Sequence, residues 1–436
     1  MENAAAVENV VAPSSKEIKI SPDQLAAVNS LLDFIADPDP KSPFFVFKGS
    51  AGTGKTFCMR EVLARTKKSK VKFAFTAPTN KAAKELRAIT GNAGTIFSLL
   101  GLRIDKSGEV KALVAGKAPN DLSELDVIFI DEASMINRQL KTILEEAAVK
   151  FDLKVVFMGD AAQLPPVGES ESPVWKLQGS NATLTKVMRH DNQILNLVTE
   201  IRGQIESLTP SVNLKSDNAN GIGVWKVTKA QFKNDIYNAA CEGVFGDGVS
   251  GKVIAWRNAT VEAYNEIIRR AIFGAAAMPG NYMKGERIVA AGPCLRADEL
   301  LLSTDDEALV ESTIDCTHPI VTKYKAIELF CRNEMNKAIR LLVLHPDSKQ
   351  QFADDSTKLA HDAKANPKLW KKFWEHKELF HDIKYGYALT THRSQGSTYK
   401  TVFVDYQDIL LNRNRREAFQ CLYVACSRPT TQLIIG

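Results

Sequence analysis

The sequence predicts an α/β fold with two parallel sheets, each flanked by helices. Short, almost wholly apolar runs recur early in the chain and are followed by Gly, Pro, Asp or Glu, as expected of buried parallel strands. Helix-compatible segments separate these runs, and a second set of runs begins after residue 250. Because 436 residues exceed what one compact core holds, the chain is expected to divide into about two to four units.

The first sheet is predicted from four runs rich in Phe, Val and Ile. They occupy residues 44–47, 71–75, 127–130 and 155–158. Helices are predicted at 79–89 and 139–149 between them. In parallel sheets the working loops follow the carboxyl ends of the strands, so polar residues directly after these runs are the first candidates for function.

The second sheet is predicted from runs at 253–256, 402–405 and 432–435, with a helix at 259–272. A long segment without the strand–helix alternation separates the first of these runs from the other two. Residues 285–345 predict hairpin strands, and an aromatic, basic helical stretch containing Trp370, Phe373 and Trp374 follows. A further hairpin is predicted at about 103–118, around a Lys-Ser-Gly turn.

Composition excludes several classes of protein. Hydrophobic residues make up 44% and charged residues 25% of the chain, which is typical of a globular protein and unlike a disordered or fibrous one. No apolar run approaches the roughly 18 residues that span a bilayer, and the first residues lack a basic secretory leader, so we expect a cytoplasmic protein with no membrane partner. Seven irregularly spaced Cys predict buried thiols and no structural zinc. A net charge of +5 requires any nucleic acid to be held in a local groove.

A phosphate-binding loop follows the first predicted strand. The run GSAGTGKT matches the pattern GxxxxGK[ST], in which glycines let backbone N–H groups surround phosphates. Lys55 would reach the β- and γ-phosphates of ATP, and Thr56 would offer its hydroxyl to Mg²⁺. The predicted nucleotide-binding residues of this loop are Gly49, Ser50, Ala51, Gly52, Thr53, Gly54, Lys55 and Thr56.

Acidic side chains end the third predicted strand. Asp131 is expected to hold Mg²⁺ and Glu132 to polarise the attacking water, because a buried strand rarely ends in two acids without a use for them. The fourth strand is followed by Asp160 and then by Gln163, whose amide is placed to sense the γ-phosphate. Solvated loop acids and backbone-satisfying polar groups are the alternatives at these positions.

Two further sets of residues extend the predicted ATP site. Ser21-Pro-Asp-Gln24 forms a helix capping box, and Gln24 can in addition read an adenine edge. Arg189 and Arg428 are candidates for neutralising charge that develops on the γ-phosphate, although a surface ion pair explains either arginine taken alone.

The ordered series of motifs resembles the superfamily-1 DNA helicases of the RecD-like, 5′→3′ group, especially their small phage-encoded members. In chain order the matching segments are Gln24, GSAGTGKT (49–56), TAPT (76–79), GTIFS (94–98), IDEASM (130–135), GDAAQLPP (159–166), VMR (187–189), LTTHRSQG (389–396) and LYVACSR (422–428). A single phosphate loop is common to many NTPases, whereas the ordered set is far more specific.

The resemblance implies two RecA-like domains with ATP between them and single-stranded DNA running across both. It implies a loose extension at 1–16, a first domain at 17–185 with a strand-separating hairpin at 103–118, a second domain at 186–280 and 386–436, and an SH3-like barrel with a helical arm at 281–385. Gln395 and Gly396 would couple the ATP and DNA sites. The implied DNA contacts are Pro78, Thr79, Thr95, Phe97, Thr390 and His392.

Three positions depart from the family pattern. Phe97 stands where many relatives carry His, which favours stacking on a base, and Arg393 replaces the usual Lys. Pro429 follows Arg428 where small residues are usual.

The predicted partners are single-stranded and forked duplex DNA, together with a single-strand-binding or replisome protein, and the active form is expected to be a monomer. Three alternatives stay open: an RNA helicase, a nucleic-acid clamp or recombination scaffold that binds ATP without unwinding, and a P-loop kinase. A kinase would not predict the LTTHRSQG segment or a second α/β half.

Overall fold

A computed structural model of the chain describes residues 20–104, 110–112, 120–186, 193–207, 209–296 and 299–436, with the backbone alone at 103–104 and 110–112. The predicted extension at 1–16 lies outside these residues. The helices up to residue 186 are α1 (Pro22–Ala36), α2 (Lys55–Thr66), α3 (Asn80–Thr90), α4 (Ile96–Leu100) and α5 (Arg138–Phe151). The strands are β1 (Phe44–Gly49), β2 (Phe73–Ala77), β3 (Gly94–Thr95), β4 (Leu102–Ile104), β5 (Val110–Ala112), β6 (Val127–Ile130), β7 (Lys154–Gly159) and β8 (Ser180–Leu184).

Six of these strands form a parallel sheet in the order β3-β2-β6-β7-β1-β8. Helices cover both faces: α1 and α2 pack on one face, and α4 and α5 pack on the other. The four predicted strands are confirmed, although β2 begins at Phe73 because the Lys72 N–H donates 2.6 Å to the Asp126 carboxylate outside the sheet. β8 was not predicted, since Ser-Asn-Ala-Thr-Leu carries no apolar run.

The two strands of the hairpin predicted at 103–118 are β4 and β5. β4 and β5 pair antiparallel, with Leu102 opposite Ala112 and Ile104 opposite Val110. The turn between the strands and residues 113–119 lie outside the described part of the chain.

The second half of the chain alternates strands and helices before and after a long insertion. Its helices are α6 (Gln193–Gln204), α7 (Lys229–Cys241), α8 (Asn258–Phe273), α9 (Lys349–Ala365), α10 (Trp370–Lys377), α11 (Thr391–Ser394), α12 (Tyr406–Ile409) and α13 (Arg415–Cys426). Its strands are β9 (Asp217–Ala219), β10 (Ile222–Lys226), β11 (Gly251–Ala255), β12 (Arg287–Ala290), β13 (Cys294–Arg296), β14 (Glu299–Leu302), β15 (Glu307–Thr317), β16 (Lys325–Asn333), β17 (Ala338–Leu344), β18 (Ile383–Tyr385), β19 (Ala388–Thr390), β20 (Tyr399–Val404) and β21 (Pro429–Ile435).

The second sheet has the order β19-β11-β20-β21-β10-β9. Its pairs are parallel except for the antiparallel edge pair β9-β10. The runs predicted at 253–256, 402–405 and 432–435 correspond to β11, β20 and β21, and the predicted helix at 259–272 is α8. The chain therefore contains two α/β sheets, as predicted.

The insertion between β11 and β19 forms a five-stranded antiparallel sheet of order β17-β16-β15-β12-β18. A buried ion pair joins the insertion to the second sheet's helices: Arg269 Nε of α8 lies 2.5 Å from Glu286 Oε1. The aromatic side chains divide into two groups. Phe380 is buried beside Tyr324, whereas Trp370 and Trp374 on α10 are partly exposed.

No helix among the described residues is long and apolar enough to cross a membrane.

Candidate nucleotide and DNA sites

The phosphate-binding loop joins β1 to α2, as predicted. Gly52 and Gly54 have φ of 78° and 92°, in the left-handed region that favours glycine. A Cβ at Gly54 would lie 2.4 Å from Gln24 Nε2, so a larger residue would displace the Gln24 amide as well as strain the backbone. Lys55 Nζ donates to the carbonyls of Gly49 (2.6 Å) and Ser50 (3.3 Å). The N-terminus of α2 and the turned backbone together form a site suited to phosphate groups.

Gln24 supports this loop from α1. The capping box is confirmed: the Ser21 hydroxyl accepts from the Gln24 N–H at 3.2 Å, and Gln24 Oε1 accepts from the Ser21 N–H at 3.1 Å. Gln24 Nε2 donates to the Thr53 carbonyl at 3.0 Å. Both ends of this buried amide are thus engaged within the protein, and its proximity to Thr53 places α1 against the phosphate loop.

Asp131 and Glu132 follow β6 and lie beside the phosphate loop. Burial raises the pKa of both carboxyls, and their mutual repulsion raises that of Glu132 further, while the Lys55 charge lowers both. Glu132 has φ of 51°, a strained conformation for a residue with a Cβ, of the kind that clusters at functional sites. The carboxylate oxygens of Asp131 and Glu132 beside Lys55 are of the ligand type that a hard divalent cation such as Mg²⁺ prefers.

Asp160 is the centre of a network that joins the two sheets. Its buried carboxylate accepts a short hydrogen bond from the Tyr423 hydroxyl on α13 and lies 3.4 Å from Arg202 Nη2 on α6. The Tyr423 oxygen in turn accepts from the Ala51 N–H of the phosphate loop at 3.3 Å. A residue of the second sheet's helix layer therefore contacts a loop of the first sheet.

Gln163 and Gln395 form a second contact between the two halves. Gln395 Nε2 donates to Gln163 Oε1 and to the Ser134 hydroxyl, both at 3.1 Å. Gln420 on α13 donates to the Gln163 carbonyl at 3.1 Å. Gly396, with φ of 72°, packs against α3, where a Cβ would lie 3.0 Å from the Ala82 Cβ. The segment that follows β19 is thus bonded to the segments that follow β6 and β7.

Arg428 lies within electrostatic reach of the acid pair, since its charge lowers the pKa of Glu132. Its guanidinium donates to the carbonyls of Val424 (3.0 Å) and Ser397 (3.2 Å) and to the Ser427 hydroxyl (2.8 Å). No carboxylate lies at ion-pair distance from it within the described ranges. The charge of this buried arginine is therefore available to an anion.

Arg189 lies outside the described residues. A different arginine, Arg202, was not predicted: it lines a cavity of about 180 Å³ with Lys48, Ser50 and Asp160. No motif marks this arginine in the last turn of α6, and its salt bridge to Asp160 shows that it faces the phosphate loop.

The predicted DNA contacts lie at or just after the carboxyl ends of β2, β3 and β19. Thr79 caps α3 and Thr95 caps α4, each accepting from a backbone N–H (3.2 and 3.1 Å). Phe97 is partly buried against the first sheet's core. Thr390 is buried at the end of β19, whereas His392 on α11 is partly exposed. Pro78 directly precedes Thr79 after β2.

Arg393 ties the segment after β19 to the insertion. Its Nε lies 2.5 Å from Asp305 Oδ1, and its Nη2 donates 2.7 Å to the Ala290 carbonyl. The guanidinium uses two donors in a fixed geometry, which a lysine at this position would not reproduce.

Comparisons with known proteins agree with this geometry. Residues 19–213 match the family described as "AAA domain", and residues 385–435 match the "UvrD-like helicase C-terminal domain". The chain is 24% identical over 433 residues to the ATP-dependent DNA helicase dda of Enterobacteria phage T4, covering 89% of this chain and 93% of that protein. It is 24% identical over 499 residues to protein R530 of Acanthamoeba polyphaga mimivirus, covering 94% and 98%.

A solved Pif1 helicase, studied for DNA unwinding at forked double-stranded DNA, shares the fold with a TM-score of 0.52 and 16% identity, over 96% of this chain and 92% of that one. The ordered motifs, the matches in both halves and the similarity to named Dda, Pif1 and RecD helicases lead to one conclusion: the chain belongs to the superfamily-1 helicases, in the Pif1/RecD-like group.

Proposed function

We propose that this chain is an ATP-dependent DNA helicase that moves 5′→3′ on single-stranded DNA and separates duplex strands. The observation that carries the proposal is the set of bonds across the two sheets at the phosphate loop. Tyr423 contacts Ala51, and Gln395 contacts Gln163, so a nucleotide in this loop would touch both halves of the protein. Its binding and hydrolysis would then change how the halves fit together.

Each residue of the ATP site has a proposed role. Lys55 holds the β- and γ-phosphates, and Thr56 and Asp131 hold Mg²⁺, which would neutralise phosphate charge when bound. Glu132, with its raised pKa, orients and deprotonates the attacking water. Arg428 and Arg202 stabilise negative charge that develops on the transferred phosphoryl group, and Arg189 is proposed for the same role from the sequence alone.

Coupling to DNA is proposed through the segment that follows β19. Thr390 and His392 would contact the strand, while Gln395 in the same segment bonds Gln163 beside the nucleotide. Pro78, Thr79, Thr95 and Phe97 would contact the strand from the first sheet. A change at the γ-phosphate then moves one set of DNA contacts relative to the other, which is what a translocating enzyme requires.

The domain organisation is part of the proposal. We assign the first domain to 17–185 and the second to 186–280 and 386–436, with the β4-β5 hairpin as the strand-separating element. The five-stranded antiparallel sheet within 281–385 is proposed as an SH3-like barrel with α9 and α10 as its arm. Forked DNA, a single-strand-binding or replisome protein as a further partner, and a monomeric active form complete the hypothesis.

The test is the steady-state Mg²⁺-ATPase rate with and without single-stranded DNA. We expect stimulation of about tenfold or more by DNA, and loss of activity in Lys55→Ala with most DNA affinity retained. A rate indifferent to DNA would refute the translocase and favour an ATP-binding clamp. Stronger stimulation by RNA would support the same mechanism with RNA, instead of DNA, as the substrate. Duplexes with a 5′ or a 3′ single-stranded tail then establish direction.

A further inference from the structure

Three side chains with metal-binding atoms meet between α11 and α13. Glu417 and Cys421 are four residues apart on α13, so they share one face of the helix. His392 of α11 packs against that face, with its Nε2 4.0 Å from Glu417 Oε1. One nitrogen, one carboxylate oxygen and the Cys421 sulfur all lie within 4.8 Å of one another.

These groups are close but unconnected by hydrogen bonds within the described part of the chain. Ligands of a tetrahedral Zn²⁺, at bond lengths of about 2.0–2.3 Å, lie roughly 3.3–3.8 Å apart. Shifts of about 1 Å in the side chains would therefore bring the three atoms to coordination distance. Cys421 is fully buried, whereas the His392 and Glu417 side chains are about one-third exposed.

The donor set selects a class of metal. Imidazole and thiolate favour Zn²⁺, Co²⁺ and related ions, while Mg²⁺ prefers oxygen ligands. On the exposed side of the cluster, water would fill the fourth coordination position of the ion. The arrangement therefore corresponds to a site with three protein ligands and one open position.

We propose that His392, Glu417 and Cys421 form a binding site for a Zn²⁺-class ion, separate from the Mg²⁺ of the ATP site. When the ion binds, the Cys421 thiol releases one proton to solvent as the sulfur–metal bond forms. The ion would also occupy a nitrogen of His392, so metal and single-stranded DNA would compete for this side chain. That second part rests on the proposed function, in which His392 contacts DNA.

The metal site is tested on the full chain, freed of metal by a chelator, without ATP or DNA. Titration with Co²⁺ should produce a thiolate-to-cobalt charge-transfer band that saturates at one equivalent, and added Zn²⁺ should abolish it. Cys421→Ala should lose the band, and Glu417→Gln should weaken Co²⁺ binding by about tenfold or more. Circular dichroism would establish that each variant is folded.

Cys426→Ala is the matched control, because Cys426 is equally buried on α13 and lies outside the cluster. It should keep the band. Absence of the band in the unmodified protein, or its persistence in folded Cys421→Ala, would overturn the site.

Competition is measured separately as the affinity for a fluorescent single-stranded oligonucleotide with and without Zn²⁺. Zn²⁺ should weaken DNA binding of the unmodified protein and leave that of Cys421→Ala unchanged. If the cobalt band forms but Zn²⁺ does not affect DNA affinity, the site stands and the competition is refuted. If DNA does not bind at all, the proposed function fails while the metal result remains valid.

Discussion

Replacing Tyr423 with phenylalanine removes one hydroxyl that contacts both halves of the nucleotide site. Two hydrogen bonds are lost: the hydroxyl donates one to the buried Asp160 carboxylate and accepts the other from the Ala51 N–H. The Asp160 carboxylate would keep its hydrogen bond from the Ala162 N–H at 3.0 Å and its ion pair with Arg202 at 3.4 Å. A hydrogen bond to a charged group contributes about 1.5–3 kcal/mol, so we expect Tyr423→Phe to lower the free energy of unfolding by about 2 kcal/mol.

The same change should separate nucleotide binding from turnover. If the bond between Tyr423 and Asp160 stabilises the closed arrangement of the two halves, its loss shifts that equilibrium by up to about 30-fold. The DNA-stimulated kcat should therefore fall. The KM for ATP should not rise, because the Ala51 N–H is released to the phosphates.

Urea unfolding, followed by tryptophan fluorescence, measures the loss of stability, and steady-state kinetics measures kcat and KM. Tyr406→Phe is the matched control: Tyr406 is partly buried on α12, and its hydroxyl has no hydrogen-bond partner among the residues described. The free energy of unfolding of Tyr406→Phe should stay within about 0.5 kcal/mol of that of the unmodified protein. Equal unfolding midpoints for the two variants would refute the reasoning.

Three other substitutions test separate parts of the structure. Glu132→Gln should retain ATP binding and lose turnover by about a hundredfold or more, because a general base is removed; a normal rate in single-turnover assays would show that another group is the base. Glu286→Ala should cost about 3 kcal/mol, since it removes the buried carboxylate beside Arg269 Nε and leaves Glu266, 3.2 Å from Nη1, as the remaining counter-charge, and an unchanged thermal midpoint would contradict this. Burial raises the pKa of Asp306 from 3.8 to about 6, so the folded protein disfavours the charged carboxylate. The free energy of unfolding should therefore fall as the pH rises from about 4 to about 6. Asp306→Asn should therefore gain stability relative to the unmodified protein between about pH 4 and about pH 7, whereas a constant difference would refute the shift.

Local features of this chain were predictable because their causes lie within a few residues. The capping box at Ser21 and Gln24 needs only a spacing of three, and the phosphate loop needs only its glycines and Lys55 after an apolar strand. The strands at 44–49, 127–130 and 154–159 are apolar enough to be recognised alone. β8 was missed because its pairing with β1, and not its composition, makes it a strand.

The candidate site was predicted in its parts but not in its connections. The motifs identified Asp131, Gln163, Gln395 and Arg428 singly, whereas no spacing in the sequence indicates that Gln395 donates to Gln163. Arg202 was not predicted, since an arginine in the last turn of a helix is usually solvated and only the ion pair with Asp160 distinguishes it.

The sequence by itself determined the family, the nucleotide-binding loop and the alternation of strands and helices, because each is written in contiguous residues with short-range physical causes. Only the tertiary structure decided which residues share the site. Tyr423 reaches Ala51 across 372 positions of the chain, and His392 meets Cys421 through the packing of α11 on α13. Such contacts depend on strand order and helix packing, which arise from the burial of whole faces and leave no local pattern.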